Sequence, residues 1–585
     1  MRNKFPVISI NWNLVFLVSV AVVVLFRLVV WKFFLGAGTM VKEDLSNLLV
    51  ASVQLALGAA FAALAVDKRI KLLATGFEWP LGVLLVISLV SLCYTLDLSV
   101  SIRVWLPLAG SMAMFYILAN TLDDIPRIKL FLYFILACAF VSSFYGIQEF
   151  FLLSARQPQA ADLVTAEYNH SLYYILQNRR ATSFLGWPNS LAGYLLLILP
   201  FAGLSIVTAR SLWRRLTLGV VFAVLVGCLL VTFSFLGWFN FLLATAILLP
   251  FMIRRYVPRM NVWLKCSLIV LGAVFIGLFI IVIMRKNFAG SILPRLEYYS
   301  QAWRLIQERP WEGFGFGSFG LASRFMVDSV NSFTNYVHNV YLQWWVECGV
   351  LGLAGILALV GVFIKCARRV LWYFNDGEAG FIALAVVWGL TAFFIDNCCS
   401  FTFTKPNIAV HGWAILGVFA ALYRQTFAGA RQAPESRLVP VLGLLACAGA
   451  GIVAALICVG LFFFQAGSSA MDAGKSDEAG KAFVTGSLFD RWSACYPLAA
   501  GDVAAGVFST TRKEYFLRLA ETNYLEAVRR EPSLYNGHLM LSRVYLVTGE
   551  SEKALSYARE AIRLSPFEYN RDVARMTRAA QTPAK

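Results

Sequence analysis

The sequence predicts an all-α fold: a polytopic helical membrane protein of about 13 spans followed by a helical C-terminal domain. Three observations predict it. Hydrophobic residues make up 59% of the 585 and charged residues only 14%, with a mean hydropathy of +0.69, a composition foreign to water-soluble domains. Apolar runs of bilayer length recur between residues 12 and 464. Beyond Phe464 the chain turns polar and helix-forming. The expected division is therefore 1–464 for the membrane domain and 465–585 for a separate helical domain.

The net charge of +17 does not imply a nucleic-acid partner, because Lys and Arg are dispersed through short connections instead of forming one basic face. Of eleven cysteines, Cys93, Cys138, Cys228 and Cys458 lie within apolar runs, and Cys398 and Cys399 are adjacent. These spacings match no metal framework, and no cofactor is expected. Arg2 and Lys4 precede the first apolar run as they would in a signal peptide. That run is too long and lacks a clean cleavage site, so it reads as a retained helix.

The runs fall near 12–34, 46–66, 79–95, 103–121, 129–153, 188–207, 217–234, 236–253, 266–284, 339–364, 380–396, 408–423 and 439–464. The third is short for a span. The seventh and eighth, parted only by Ser234–Gly237, are either two spans or one re-entrant unit. Pro188 followed by Asn189 and Ser190 reads as a helix start.

Charge sets the expected orientation. Every second connection is basic: Lys68, Arg69 and Lys71; Arg127 and Lys129; Arg210, Arg214 and Arg215; Arg254 and Arg255; Lys365, Arg368 and Arg369; Arg424, Arg431 and Arg437. The intervening short connections carry little beyond Lys42, Arg103 and Lys405. By the positive-inside rule the N-terminus is cytoplasmic, and loops 154–187 and 285–338 and the chain after Phe464 face outward.

The chemistry concentrates in loop 285–338, too polar to span a bilayer and held between two segments that must. Leu296, Tyr299, Trp303 and Ile306 make one helical stripe suited to lie at the membrane surface, with Arg295 at its start. Gly313-Phe-Gly315-Phe-Gly317 lacks the Lys-Ser/Thr of a phosphate loop, and no strand precedes it. It reads instead as a tight turn allowing close backbone approach. His338, one of four histidines, stands at the mouth of the tenth span. Asn339, Gln343 and Glu347 continue from it as a polar stripe facing protein or a water-filled cavity. Glu347 points to the far side of the helix from His338. The imidazole is either a hydrogen-bonded helix-mouth anchor or a general base. Arg179 and Arg180, just ahead of the sixth span, are either interfacial anchors or an anion clamp.

Three stretches in order resemble the O-antigen ligase and O-antigen polymerase superfamily. They are Arg180-Ala-Thr-Ser-Phe-Leu-Gly-Trp-Pro188-Asn189-Ser-Leu-Ala-Gly193; Arg295-Leu through Trp303 to Glu308-Arg-Pro310-Trp-Glu-Gly313-Phe-Gly315; and His338-Asn339 followed by Gly349-Val-Leu-Gly352. The resemblance covers roughly residues 80–425. It implies a GT-C-like membrane domain in a bacterial cytoplasmic (inner) membrane and a donor glycan carried on undecaprenyl diphosphate. It further implies that His338 activates the acceptor hydroxyl and that Arg295 and Arg180 bind the diphosphate. One departure stands out. The family's Ser-Arg at the start of a span after the sixth or seventh is here Ser234-Phe235. Either Arg179 or Arg180 takes over that charge, or the donor differs.

Pro497, Pro532 and Pro566 recur at 34–35-residue spacing, with Leu541, Tyr545, Gly549, Ala554, Tyr557, Ala558 and Ala561 between the last two. This resembles a tetratricopeptide repeat in period and in its small and aromatic positions. The domain is a partner-binding surface or a helical cap. The expected activity is metal-independent, inverting transfer of a glycan to a lipid core (ligase). Alternatives are transfer to a growing glycan (polymerase) or to a protein acceptor. A lipid or solute transporter is the non-enzyme alternative, against which no inverted repeat or matching pair of broken helices is evident.

Overall fold

The structure, a computed structural model, describes residues 11–33, 40–155, 180–255, 289–326, 334–374, 377–426 and 437–564, with isolated positions 262, 266 and 277. The described residues form 19 α-helices. In the membrane unit these are α1 (Trp12–Phe33), α2 (Met40–Val66), α3 (Glu78–Ser91), α4 (Leu98–Thr121), α5 (Ile125–Ala155), α6 (Pro188–Thr208), α7 (Leu212–Val231) and α8 (Phe235–Arg255). There follow α9 (Ala289–Glu308), the short α10 (Phe319–Ser323), α11 (Val340–Tyr373), α12 (Gly377–Asp396), α13 (Pro406–Gln425) and α14 (Leu438–Asp472). The C-terminal helices are α15 (Ser476–Phe489), α16 (Cys495–Thr511), α17 (Glu514–Arg530), α18 (Tyr535–Thr548) and α19 (Ser551–Leu564).

Among the described residues ten helices are long and apolar enough to cross a membrane; α1 and α3 contribute two shorter apolar segments. The chain is a polytopic helical membrane protein. The expected span 266–284 falls outside the described residues but for two positions. α7 and α8 are separate helices of 20 and 21 residues, each long and apolar enough to cross a membrane, joined by a turn in which Phe233 takes φ +47°.

Local rules set the helix starts. Asp97 caps α4 by accepting Ser99 N at 2.7 Å and Val100 N at 3.1 Å, and Pro188 and Pro406 open α6 and α13 where an N–H would have no helical acceptor. Helices α6, α12 and α13 are buried on nearly all sides, whereas α7 and α14 bury one face. Between apolar helices in lipid, this packing is stabilised by dispersion and shape rather than by exclusion of water.

The contacts sort the connections into two ends. At one, Lys129 pairs with Glu378, Leu73 N donates to Asn120 Oδ1 at 2.8 Å, and Arg424 reaches the Leu122 carbonyl. The opposite end gathers the 92–98 turn, Arg180, the α7–α8 turn, α9, the Gly-rich turn, His338 and the α12–α13 loop. This is the division that the alternating charges predict.

Helix α14 runs unbroken through Phe464, and Phe464 packs on Phe483 and Tyr496 of the C-terminal helices. Arg103 of α4 ties the two regions together by binding Asp44 Oδ2 at 2.7 Å and Asp490 Oδ2 at 2.5 Å. Helices α18 and α19 form an antiparallel pair turned at Gly549, with Leu541, Tyr545, Ala554, Ala558 and Ala561 buried.

Candidate functional site

His338 lies at the mouth of α11 with φ +59°, a left-handed conformation uncommon for a residue with a side chain. Its neighbours come from two elements distant in sequence. Tyr298 of α9 stacks on the ring at 5.4 Å, with the planes 21° apart. Phe401 of the α12–α13 loop meets it edge-on at 4.7 Å. Tyr299 Oη donates to the His338 carbonyl at 3.2 Å and is placed 3.3 Å from that of Cys398. The imidazole nitrogens have no hydrogen-bond partner among the described residues. The anchor that holds this turn is therefore its backbone. The ring is half-buried but densely surrounded, and burial, then Arg295, then Lys405 lower its pKa to about 3. The free protein thus keeps the imidazole neutral at physiological pH.

Asn339 is a structural cap. Its Oδ1 accepts Tyr341 N at 3.0 Å and Leu342 N at 3.1 Å, two of the orphan donors at a helix start. Val340 N donates to the Asn397 carbonyl at 2.9 Å. Asn397 is fixed in turn, its Oδ1 accepting Phe403 N at 2.8 Å and Thr402 Oγ1 at 3.1 Å. Beside it, buried Asp396 accepts Asn240 Nδ2 of α8 at 3.0 Å and Thr402 Oγ1 at 3.3 Å. Arg295 Nε donates to the Cys399 carbonyl at 3.1 Å, so the same loop positions this guanidinium near His338.

The polar stripe of α11 faces protein. Gln343 Nε2 donates to Glu347 Oε1 at 3.0 Å, and the Glu347 carboxylate also accepts the backbone N–H groups of Gly317 and Phe319. These belong to the Gly-rich turn, which packs on a break in α11 at Gly349 (φ +66°, ψ −167°). There Phe314 N donates to the Val346 carbonyl at 2.9 Å, Gly315 N to that of Glu347 at 2.8 Å, and Val350 N to that of Pro310 at 3.0 Å. Gly313 and Gly315 adopt φ +75° and +98°. A Cβ on Gly313 would lie 2.6 Å from the Val346 oxygen, and one on Gly315 would lie 2.4 Å from Thr95 Cα. The turn thus satisfies the broken helix by close backbone approach, the role expected for it from sequence.

The expected stripe on α9 is exposed at two positions and packed inward at Ile306. Leu296 and Trp303 are exposed, whereas Gln301, Ala302, Leu305 and Ile306 are buried. The packed face is set by Phe314, Phe319, Val337 and Val346, which periodicity within α9 alone could not locate.

Arg180 is buried, at 7% exposure. Its Nε donates to the Thr232 carbonyl at 2.7 Å, and a terminal nitrogen donates to Asn189 Oδ1 at 2.9 Å and the Phe233 carbonyl at 3.3 Å. It binds the α7–α8 turn to the start of α6, two residues from Phe235, whose ring is buried against Trp238. Arg179 lies outside the described residues.

Sequence reasoning passed over Lys405, Phe401, Tyr298, Asp396 and Asn397. Lys405 is 5% exposed, with Nζ 5.2 Å from the Trp187 ring centroid and 5.9 Å from that of Phe401. A signal existed: Lys405 is one of the three charges that interrupt the positive-inside alternation.

Among the described residues no group of three or more His, Cys, Asp and Glu side chains is placed to hold a metal. The arrangement offers a neutral base beside fixed cations, suited to abstracting a proton near an anionic group.

Residues 220–357 match the family model described as O-antigen ligase. The match runs from α7 into α11 and takes in Arg295, Gly313, Gly315, His338, Asn339, Gln343 and Glu347. Arg180 and Lys405 lie outside it. No curated protein matches the chain.

Proposed function

Starting from the likeness of residues 220–357 to O-antigen ligases, we propose that this membrane protein transfers a glycan from undecaprenyl diphosphate to an acceptor hydroxyl at the outer face of a bacterial cytoplasmic membrane. The observation that carries the proposal is the His338 ring: half-buried, neutral, without a hydrogen-bond partner among the described residues, and close to Arg295.

In this reading the acceptor O–H gives its proton to an imidazole nitrogen of His338. The oxygen attacks the anomeric carbon, a new glycosidic bond forms with inversion, and the bond to the diphosphate breaks. The bonding pair leaves on undecaprenyl diphosphate, whose developing charge is stabilised by Arg295. Arginine supplies the counter-charge, so the step draws on no metal. Arg180 fixes the turn where the family arginine would stand, and Arg179 adjoins it. Asn339, Gln343, Glu347, Gly313 and Gly315 support the frame. The C-terminal helices, read as tetratricopeptide-like, present a concave surface to the acceptor or to a protein partner.

The test supplies the purified protein with a defined undecaprenyl-diphosphate glycan and separate acceptors. One addition to a lipid core identifies a ligase, a ladder a polymerase, and a glycosylated protein a protein transferase. Intact donor with every acceptor, together with donor movement across vesicles, would overturn the proposal in favour of transport.

A further inference from the structure

We propose that Lys405, together with the N-termini of α6 and α13, forms a phosphate-oxygen subsite adjoining His338. The inference rests on the transfer reading above and adds a donor-binding residue outside the matched segment.

Among the described residues Lys405 makes no direct ion pair and no side-chain hydrogen bond, and Glu43 acts on it only at longer range. An ammonium group carries three donors, and burying it without an acceptor is unfavourable. The faces of Trp187 and Phe401 offset part of this cost but accept no hydrogen bond in the ammonium's place. The surroundings favour an anion as the missing partner. Trp187 and Lys405 are the N-caps of α6 and α13, and neither helix has a side-chain cap. Each continues Pro-Asn, as Pro188-Asn189 and Pro406-Asn407. Pro188 and Pro406 carry no N–H and Ile408 N donates to the Lys405 carbonyl at 3.0 Å, which leaves the N–H groups of Asn189 and Ser190 on α6 and of Asn407 on α13 without an intrahelical acceptor, and the positive ends of both dipoles favour negative charge. Asn407 Nδ2 donates to the Leu185 carbonyl at 3.1 Å, which ties the start of α13 to the turn leading into α6. The ring of Phe401 lies against both Lys405 and His338, so a phosphate on Lys405 would be one aromatic ring away from the base.

The charged and titratable groups acting on Lys405 are Arg27 of α1, Glu43 of α2 and His338. Burial, opposed by Glu43 and aided by Arg27, lowers the Lys405 pKa to about 8. The ammonium is therefore present at neutral pH and lost above about pH 8.

The experiment measures initial transfer rates of the full-length protein with inorganic pyrophosphate as inhibitor. Pyrophosphate should compete with the donor. Lys405→Met should weaken that inhibition by about tenfold or more, the loss of one charge-assisted hydrogen bond, and Lys405→Arg should preserve it. The donor KM should rise above pH 8 in the wild type and stay level in Lys405→Arg. Equal inhibition of wild type and Lys405→Met overturns the subsite alone, whereas no inhibition of the wild type overturns the diphosphate reading beneath it. Competition against a phosphorylated acceptor instead of the donor overturns the donor assignment. If Lys405→Met fails to insert, persistence of the rise near pH 8 in Lys405→Arg overturns the proposal.

Discussion

Asn397 accepts the backbone N–H of Val340 at 2.9 Å, so the loop after α12 caps the helix that opens beside His338. The side chain of Asn397 holds that loop in place by accepting Phe403 N and donating Nδ2 to the Phe393 carbonyl at 2.7 Å. Asn397→Ala leaves a buried N–H without its acceptor and should destabilise the protein by about 1–3 kcal/mol. Thermal unfolding in detergent measures the loss. Transfer should fall with it, because Phe401 and the Cys399 carbonyl belong to the same loop.

His338→Asn should leave the protein folded, because Asn tolerates the left-handed backbone of this position, and reduce turnover by about 10²–10⁴-fold. Initial rates beside a melting curve decide it. A variant that folds normally and retains most of its turnover would return the histidine to a packing role.

The pH behaviour of His338 should differ between free and donor-bound protein. A histidine beside an arginine-held diphosphate titrates near 6.5 only if the charges offset. Burial, Arg295 and Lys405 all favour the neutral ring, so kcat/KM should stay level as pH falls through 6.5. The bound diphosphate raises the pKa, so the acid limb of kcat should lie at higher pH than that of kcat/KM. The same depression means the folded state binds fewer protons than the unfolded chain between about pH 6.5 and 3. Stability contributed by this site should therefore decline as pH drops through that window, and less so in His338→Asn.

Arg295 and Arg180 should separate by phenotype. Arg295→Ala should raise the donor KM by about 10- to 100-fold, the loss of one charge-assisted bond to phosphate, with little change in melting temperature. Arg180→Ala removes the donor to the Thr232 and Phe233 carbonyls and should lower the melting temperature. Changing Arg179 and Arg180 together should abolish transfer, and unchanged donor binding in that double variant would limit the pair to anchoring.

Gly349→Ala should disrupt the break in α11. The backbone there lies in a region open essentially to glycine, at a cost of about 1–3 kcal/mol for other residues. The added Cβ would also fall 1.8 Å from the Trp311 oxygen. Reduced insertion yield and a lowered melting temperature are the expected readouts, with Gly361→Ala, which meets nothing within 4 Å, as the silent control.

The sequence by itself determined the membrane class, the order of the helices and the division of the connections between two ends. Hydropathy and span length are local properties, and charge alternation is counted along the chain. The Gly-rich turn and the helix start at Pro188 were legible for the same reason. Tertiary structure decided what completes the site. Tyr298 of α9 and Phe401 of the α12–α13 loop reach His338, Asn397 of that loop binds the start of α11, and no spacing within either segment encodes that meeting. It also decided the buried face of α9, set by Phe314 and Val346, and the partners of Arg180. Two of the three charges that break the alternation are accounted for only in three dimensions. Arg103 is held between Asp44 and Asp490, and Lys405 lies buried on Trp187 and Phe401. A buried charge is tolerated through the groups around it, and those groups are supplied by helix packing across the whole chain.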